Sequence, residues 1–347
     1  MHPRRLRGLL AALALLLPGA ASAQQILTGA GATFPYPLYS NWFASYQQLT
    51  GVRINYQSIG SGGGIRQFIK GTVDFGASDA SMKDEQIAAV QGNVVQIPTV
   101  IGSVVLTYNL KGLGTRRLRL DAPTIADIYL GRITSWQDPR LKALNPGMTF
   151  PKLDIVVVGR SDGSGTTFVF TDYLAKVSPE WLRRVGRGTA VRWPAGLGGK
   201  GNEGVTAQVK LLEGSIGYVE MGYALANKLA FAELQNQAGA WVIPTLQSAR
   251  AAAASLDWTP STDFRVSITN APGKDAYPIS SFTWLLIYRD SKSPATARQL
   301  RDFLRWMLTP AAQAQAERLH YAPLPKVVAD LVAARLPTLR ANGRPIP

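Results

Sequence analysis

Ile155-Val156-Val157-Val158 runs directly into Gly159-Arg160-Ser161-Asp162-Gly163-Ser164-Gly165-Thr166-Thr167, and the chain continues through Phe168 to Val177. Four β-branched residues predict a strand, the glycines and short polar residues a tight turn, and the amphipathic stretch Thr166 to Val177 a helix. The same sequence of signals recurs. Apolar runs at Ile26-Leu27-Thr28, Val52 to Tyr56 and Val94 to Ile97 alternate with helical patterns at Ile65 to Lys70, Asp84 to Val90, Gly204 to Leu212 and Ala295 to Met307. Ser81, with Asp84 or Glu85 after it, reads as a helix N-terminus. Strands alternating with helices predict an α/β fold.

Three further turns share the glycine-rich character of the first: Thr28 to Pro35, Ile59 to Gly64, and Gly76-Ala77-Ser78-Asp79. Each is expected to present unpaired backbone N–H groups at a helix start, where converging donors and the helix dipole attract anions. Any one of them alone is weak evidence, since Gly and Ser are also ordinary turn and cap residues. Four together, carrying Thr, Ser, Asp and Arg side chains, suggest a pocket for a small tetrahedral oxyanion with many lone pairs to satisfy. Arg160 with Asp162 also reads as a plain turn salt bridge, and Asp79 as a helix cap.

Several enzyme classes fail on the same turns. A phosphate-binding P-loop needs Lys followed by Ser or Thr, whereas Gly199-Lys200 is followed by Gly201 and Pro194 stands where the first glycine belongs. A nucleophile elbow at Ser164 needs Gly at 162, where Asp stands. Beyond the first residues the only histidine is His320, expected in a C-terminal helix, which argues against a Ser-His-Asp triad and, with no cysteine, against a transition-metal site.

The N-terminus carries Arg4, Arg5 and Arg7 before an apolar run from Leu9 to Leu17 and the small triplet Ala21-Ser22-Ala23. That pattern predicts a secretory leader over residues 1–23, with the mature chain starting at Gln24. The run is shorter than the roughly 20 residues of a membrane span. With no cysteine there is neither a disulfide framework nor a site for N-terminal lipidation, so a freely diffusing exported protein is expected. The formal charge of +15 falls to +12 without the three leader arginines. Such an excess steers anions or anionic surfaces without naming a site. The stretch after Pro337, rich in Pro, Gly and Arg, is expected to be a loosely packed tail.

Read as ordered motifs, Thr28 to Tyr39 (TGAGATFPYPLY), Ile54 to Ile65 (INYQSIGSGGGI), Val73 to Ala80 (VDFGASDA), Ile97 to Gly102, Leu144 to Gly147, Asp162 to Val177 (DGSGTTFVFTDYLAKV), Trp193 to Val205 (WPAGLGGKGNEGV), Gly214 to Glu220 and Asp275 to Thr283 resemble the PstS family of periplasmic phosphate-binding proteins. The resemblance covers nearly the whole mature chain. It implies a non-catalytic receptor without a cofactor that hands inorganic phosphate to the permease subunits of an ABC importer, a monomer with no nucleic-acid partner. The implied fold is a two-lobed type II Venus-flytrap with a hinge and an interlobe cleft. Lobe I would comprise residues 24–103 and 278–347, and lobe II residues 104–277, the chain crossing near Val100 to Val104 and returning near Tyr277 to Ser281.

The resemblance also implies the ligand set. Phosphate would be held by Thr33 and Phe34, Ser61, Asp79, and Arg160, Ser164, Gly165 and Thr166, with Asp162 orienting Arg160. Phe34 would contribute its amide, and Thr33, Ser61, Ser164 and Thr166 both hydroxyl and amide. Asp79 would accept a proton that phosphate carries and sulfate lacks. Gly62 departs from the serine common in the family, and the basic charge departs from it more widely. A receptor for sulfate or molybdate, a secreted phosphatase and a surface-adhesion protein are the competing readings.

Overall fold

A computed structural model of the protein describes residues 26–113, 116–259 and 262–346. The leader expected over residues 1–23, with Gln24 as the first mature residue, lies outside the described residues.

The first part of the chain folds as β1 (Ile26–Gly31), α1 (Tyr36–Thr50), β2 (Arg53–Ser58), α2 (Ser61–Ile69), β3 (Phe75–Ser78), α3 (Asp84–Ala88) and β4 (Val95–Tyr108). Then follow β5 (Arg119–Leu120), α4 (Ala122–Tyr129), α5 (Pro139–Leu144), β6 (Val156–Arg160), α6 (Gly165–Val177) and α7 (Pro179–Arg184). Next come β7 (Leu197–Gly199), α8 (Gly201–Leu211), β8 (Ser215–Glu220), α9 (Met221–Ala226), β9 (Ala230–Phe231), β10 (Glu233–Gln235), β11 (Trp241–Val242) and α10 (Leu246–Ala253). The chain closes with β12 (Ser280–Ile287), β13 (Asp290–Ser291), α11 (Pro294–Met307), α12 (Pro310–Arg318), α13 (Lys326–Arg335), β14 (Arg340–Ala341) and β15 (Arg344–Pro345).

Among the described residues the principal sheet runs β2-β1-β3-β12-β4-β8-β6-β7, with β9 also on β4. The pairs flanking β1 and β6 are parallel, as strand-helix-strand units require. β12 pairs antiparallel with both β3 and β4. All fourteen residues of β4 are buried. Its first part, Val95 to Ser103, lies against β12, and its last, Val104 to Tyr108, against β8. One strand therefore serves two halves of the sheet. Within it Pro98 sits opposite Trp284, and the register slips between Thr283 and Trp284. Proline cannot donate to a ladder, and a bulge beside it absorbs the defect and re-aims a side chain.

Helices cover the sheet through close backbone approach and aromatic packing. In α2 a side chain at Gly64 would place its first carbon 2.4 Å from Gly31 Cα, so only glycine lets this helix lie flat on β1. On α1, Tyr39 and Trp42 are fully buried and stack, and Trp42 Nε1 donates to the Ala312 carbonyl at 2.9 Å.

The four strand runs overlap β1, β2, β4 and β6, the last three starting one residue ahead of the strand. Helix starts were less legible. α2 begins at Ser61 rather than Ile65, and α8 at Gly201 rather than Gly204, because glycines that read as turn residues are enrolled in a first turn that must come close to its neighbours. α3 is capped at Lys83, whose amide donates to the Gln86 side chain, and not at Ser81. Asp79 caps nothing: the chain stays irregular from Asp79 until α3 begins, so the third turn is not a helix start. His320 lies just past α12 with φ of 66°, outside the helix. The stretch after Pro337 is not a loose tail. β14 pairs with β13 and β15, Leu339 and Ala341 are buried, and the Ile346 carbonyl accepts from Arg301.

Candidate functional site

Arg160 ends β6 with its side chain only 1% exposed. Two residues on, the turn returns Asp162 to it. Nε donates to Asp162 Oδ1 at 2.7 Å and Nη2 to Oδ2 at 2.6 Å, a bidentate fork that fixes the guanidinium plane. Asp162 Oδ1 also accepts the Gly201 amide at 3.0 Å. Burial pushes the Asp162 carboxyl up, but the bonds and charge of Arg160 and the Gly201 amide outweigh it and hold the group below its ordinary value. Nη1 reaches Thr166 Oγ1 at 3.4 Å.

Ser164 caps α6, its hydroxyl accepting the Thr167 amide at 3.0 Å. Its own amide donates to the Thr189 carbonyl at 2.7 Å, which removes the second donor expected of Ser164 and leaves its hydroxyl. The amides of Gly165 and Thr166 find no protein acceptor among the described residues, as the first turn of a helix dictates.

Facing them are the turns after β1 and β2 and the end of β3. The Asp79 carboxylate accepts from the Thr283 hydroxyl at 2.8 Å and from Ser61 Oγ at 3.4 Å, while the Asp79 amide donates to Ser61 Oγ at 3.2 Å. Thr283 sits on β12 beside the register shift, where β4 carries the extra residue Thr99. Burial pushes the Asp79 carboxyl up to about 7, against the opposing pull of Thr283, the Arg160 charge and Ser61. Thr33 and Phe34 are held by their carbonyls. Tyr223 Oη donates to the Thr33 carbonyl at 2.6 Å, and Tyr321 Oη lies 2.7 Å from the Phe34 carbonyl and 2.8 Å from Glu220 Oε2. The Phe34 ring is buried edge-on to Tyr321, so this residue offers the site its amide.

The two walls touch. The Gly62 amide donates to the Gly163 carbonyl at 2.8 Å, and a carbon added at Gly165 would lie 2.5 Å from Ser61 Oγ and 2.6 Å from Asp79 Oδ2. All eight residues expected to line one pocket are thereby brought into a single buried cluster, with Asp162 behind Arg160. The cluster presents one guanidinium, several hydroxyls, free helix-start amides and one carboxyl. Beyond Asp79 a cavity of about 870 Å³, bordered by Phe168, Arg187, Arg265 and Trp284, opens between the same walls. It is far wider than a small anion, so the closed cluster is the candidate site.

Sequence reasoning missed Asn202, whose side chain bonds both Thr33 and Thr166, and Thr283, Tyr223, Tyr321 and Glu220. Asn202, Glu220 and Thr283 stand inside motifs that carried the family resemblance, but nothing local marked them.

Residues 18–311 match the PBP superfamily domain. The Phosphate-binding protein PstS of Xylella fastidiosa (strain 9a5c) is 48% identical over 299 residues, 86% of this chain and 81% of that protein. Its counterpart in Pasteurella multocida is 46% identical over 314 residues, 90% of each. The chain belongs to the PstS family. Its two-lobed α/β fold is that of the family, as the resemblance implied. A phosphate-binding protein from Stenotrophomonas maltophilia, solved by crystallography, shares the fold with a TM-score of 0.70 at 21% identity, covering 89% of this chain and 93% of that one. No described helix is long and apolar enough to cross a membrane.

Proposed function

We propose that this protein is a non-catalytic receptor that binds inorganic phosphate between its lobes and delivers it to the membrane subunits of an ABC importer. The observation that carries the reading is the closed cluster itself: a buried Arg160 clamped by Asp162, the start of α6 above it, and Ser61 and Asp79 directly opposite. Thr33, Phe34, Ser61, Asp79, Arg160, Ser164, Gly165 and Thr166 are the proposed ligands, Ser164 through its hydroxyl and Phe34 through its amide. Lobe I would be residues 24–103 and 278–347 and lobe II residues 104–277. The change of β4 partner at Val104, and the Val104 amide's bond to the Ile279 carbonyl, support that hinge. Residues near Thr262 and Phe264 also reach lobe I, their carbonyls accepting from Arg335 and Trp284. Export on the N-terminal leader into the periplasm, and action as a monomer, complete the proposal.

An ionised carboxyl facing an anion, as Asp79 becomes above about pH 7, repels it unless the ligand brings a proton to share. Phosphate carries one near neutral pH and sulfate does not. Leaving acceptor against acceptor in a buried site costs a factor of roughly 10⁴ in affinity. Titration calorimetry with phosphate and sulfate tests this: phosphate should bind at least that much more tightly, and Asp79→Asn should narrow the gap. Tight sulfate binding by the unmodified protein would exclude the reading.

A further inference from the structure

Asn202 stands in the first turn of α8 with no exposed surface, and its side-chain orientation is fixed by its neighbours. The Glu220 amide, at the end of β8, donates to it at 2.9 Å, so that atom is the oxygen, Oδ1. The nitrogen must then face the cluster. One of its hydrogens goes to Thr33 Oγ1 at 2.7 Å, the other to Thr166 Oγ1 at 3.1 Å. Both donors of the amide are consumed, one on a residue from each wall of the cleft.

A hydroxyl oxygen has two lone pairs and one hydrogen. Thr33 Oγ1 also accepts the Asn202 backbone amide at 3.2 Å, and Thr166 Oγ1 also accepts Arg160 Nη1 at 3.4 Å. Both lone pairs on both oxygens are therefore taken, and the only valence either threonine has left is its own proton. We infer that Asn202 is a positioning residue that locks Thr33 and Thr166 as hydrogen-bond donors, so that the ligand must accept from both and can hand a proton to neither. This inference rests on the phosphate site proposed above. It deepens that reading by stating which ligand oxygen carries the proton: the one facing Asp79, and neither of those facing the threonines. Phosphate would then bind in one orientation instead of several.

A double-mutant cycle tests the inference by calorimetry. Asn202→Leu keeps the volume and frees both hydroxyls to rotate. It should weaken phosphate binding about 10- to 100-fold in the unmodified background, and less than about threefold once Thr33→Val and Thr166→Val have removed the hydroxyls through which Asn202 acts. A loss of the same size in both backgrounds would make Asn202 merely structural, and no loss in the unmodified background would equally overturn the inference. Asn202→Asp serves if the leucine variant does not fold. It retains the bond from the Glu220 amide but draws both hydroxyl protons to itself, so binding at pH 8 should fall more than 100-fold, and unchanged binding overturns the inference. Failure of the unmodified protein to bind phosphate would instead remove the proposed site itself.

Discussion

Asp79 lies between two hydroxyls while the fork of Arg160 is spent on Asp162, so its charge is desolvated without a salt bridge of its own. Its carboxyl, raised to about 7 by burial, holds a proton that an unfolded chain releases near 4. The folded state therefore binds more protons between those values, and the stability linked to Asp79 is full below about pH 4 and lost as pH rises through 7. From pH 5 to pH 8 the ligand-free protein should lose roughly 2–3 kcal/mol through this group, on the order of 5 °C in melting temperature. Asp79→Asn should flatten that dependence; equal slopes in scanning calorimetry would show that Asp79 is charged in the folded protein. At this scale legibility followed sequence distance. Arg160 and Asp162 are two positions apart and could be paired by eye, whereas the bonds from Thr283 to Asp79 and from Asn202 to Thr33 span 204 and 169 residues. No local pattern reports a contact of that range.

At the scale of elements, the start of α6 is the part that closes the site, and Gly165 is its point of closest approach. Alanine there disturbs the helix little, since alanine is the better helix former. Its methyl carbon, however, would stand 2.6 Å from Asp79 Oδ2 and wedge the walls apart. Gly165→Ala should thus weaken phosphate binding at least 100-fold while shifting the ligand-free melting temperature by no more than a few degrees. Small-angle scattering should show no compaction on adding phosphate, and compaction as in the unmodified protein would contradict the close approach. Strand and helix existence was readable from periodicity at β6 and α6. The boundaries were not, because glycine at Gly62 to Gly64 signals a turn in the sequence but serves here to bring α2 against β1 and against the opposite wall. The last residues misled in the same way. Their lack of periodicity concealed a short hairpin anchored on β13.

For the whole molecule, the strand shared between the halves means that neither is an independent sheet: β4 contributes to both, and every one of its residues is buried. The two-lobed architecture was legible only through the family resemblance, since alternating strands and helices predict α/β layers without saying that they divide. Among the described residues every lysine and arginine except Arg160 and Arg301 keeps some exposed surface, so the basic excess lies outside the cluster. The backbone bond from the Gly62 amide to the Gly163 carbonyl joins the two walls and can form only while they are together. Its hydrogen is consequently a gauge of opening. Deuterium can replace it only during an opening, so with reclosing faster than exchange its rate gives the fraction of time the empty receptor is open. Saturating phosphate should slow that exchange more than tenfold. An unchanged rate at Gly62 would mean that the ligand enters without the walls separating. A single peptide hydrogen thus lets the opening of this cleft be read without attaching any label to the protein.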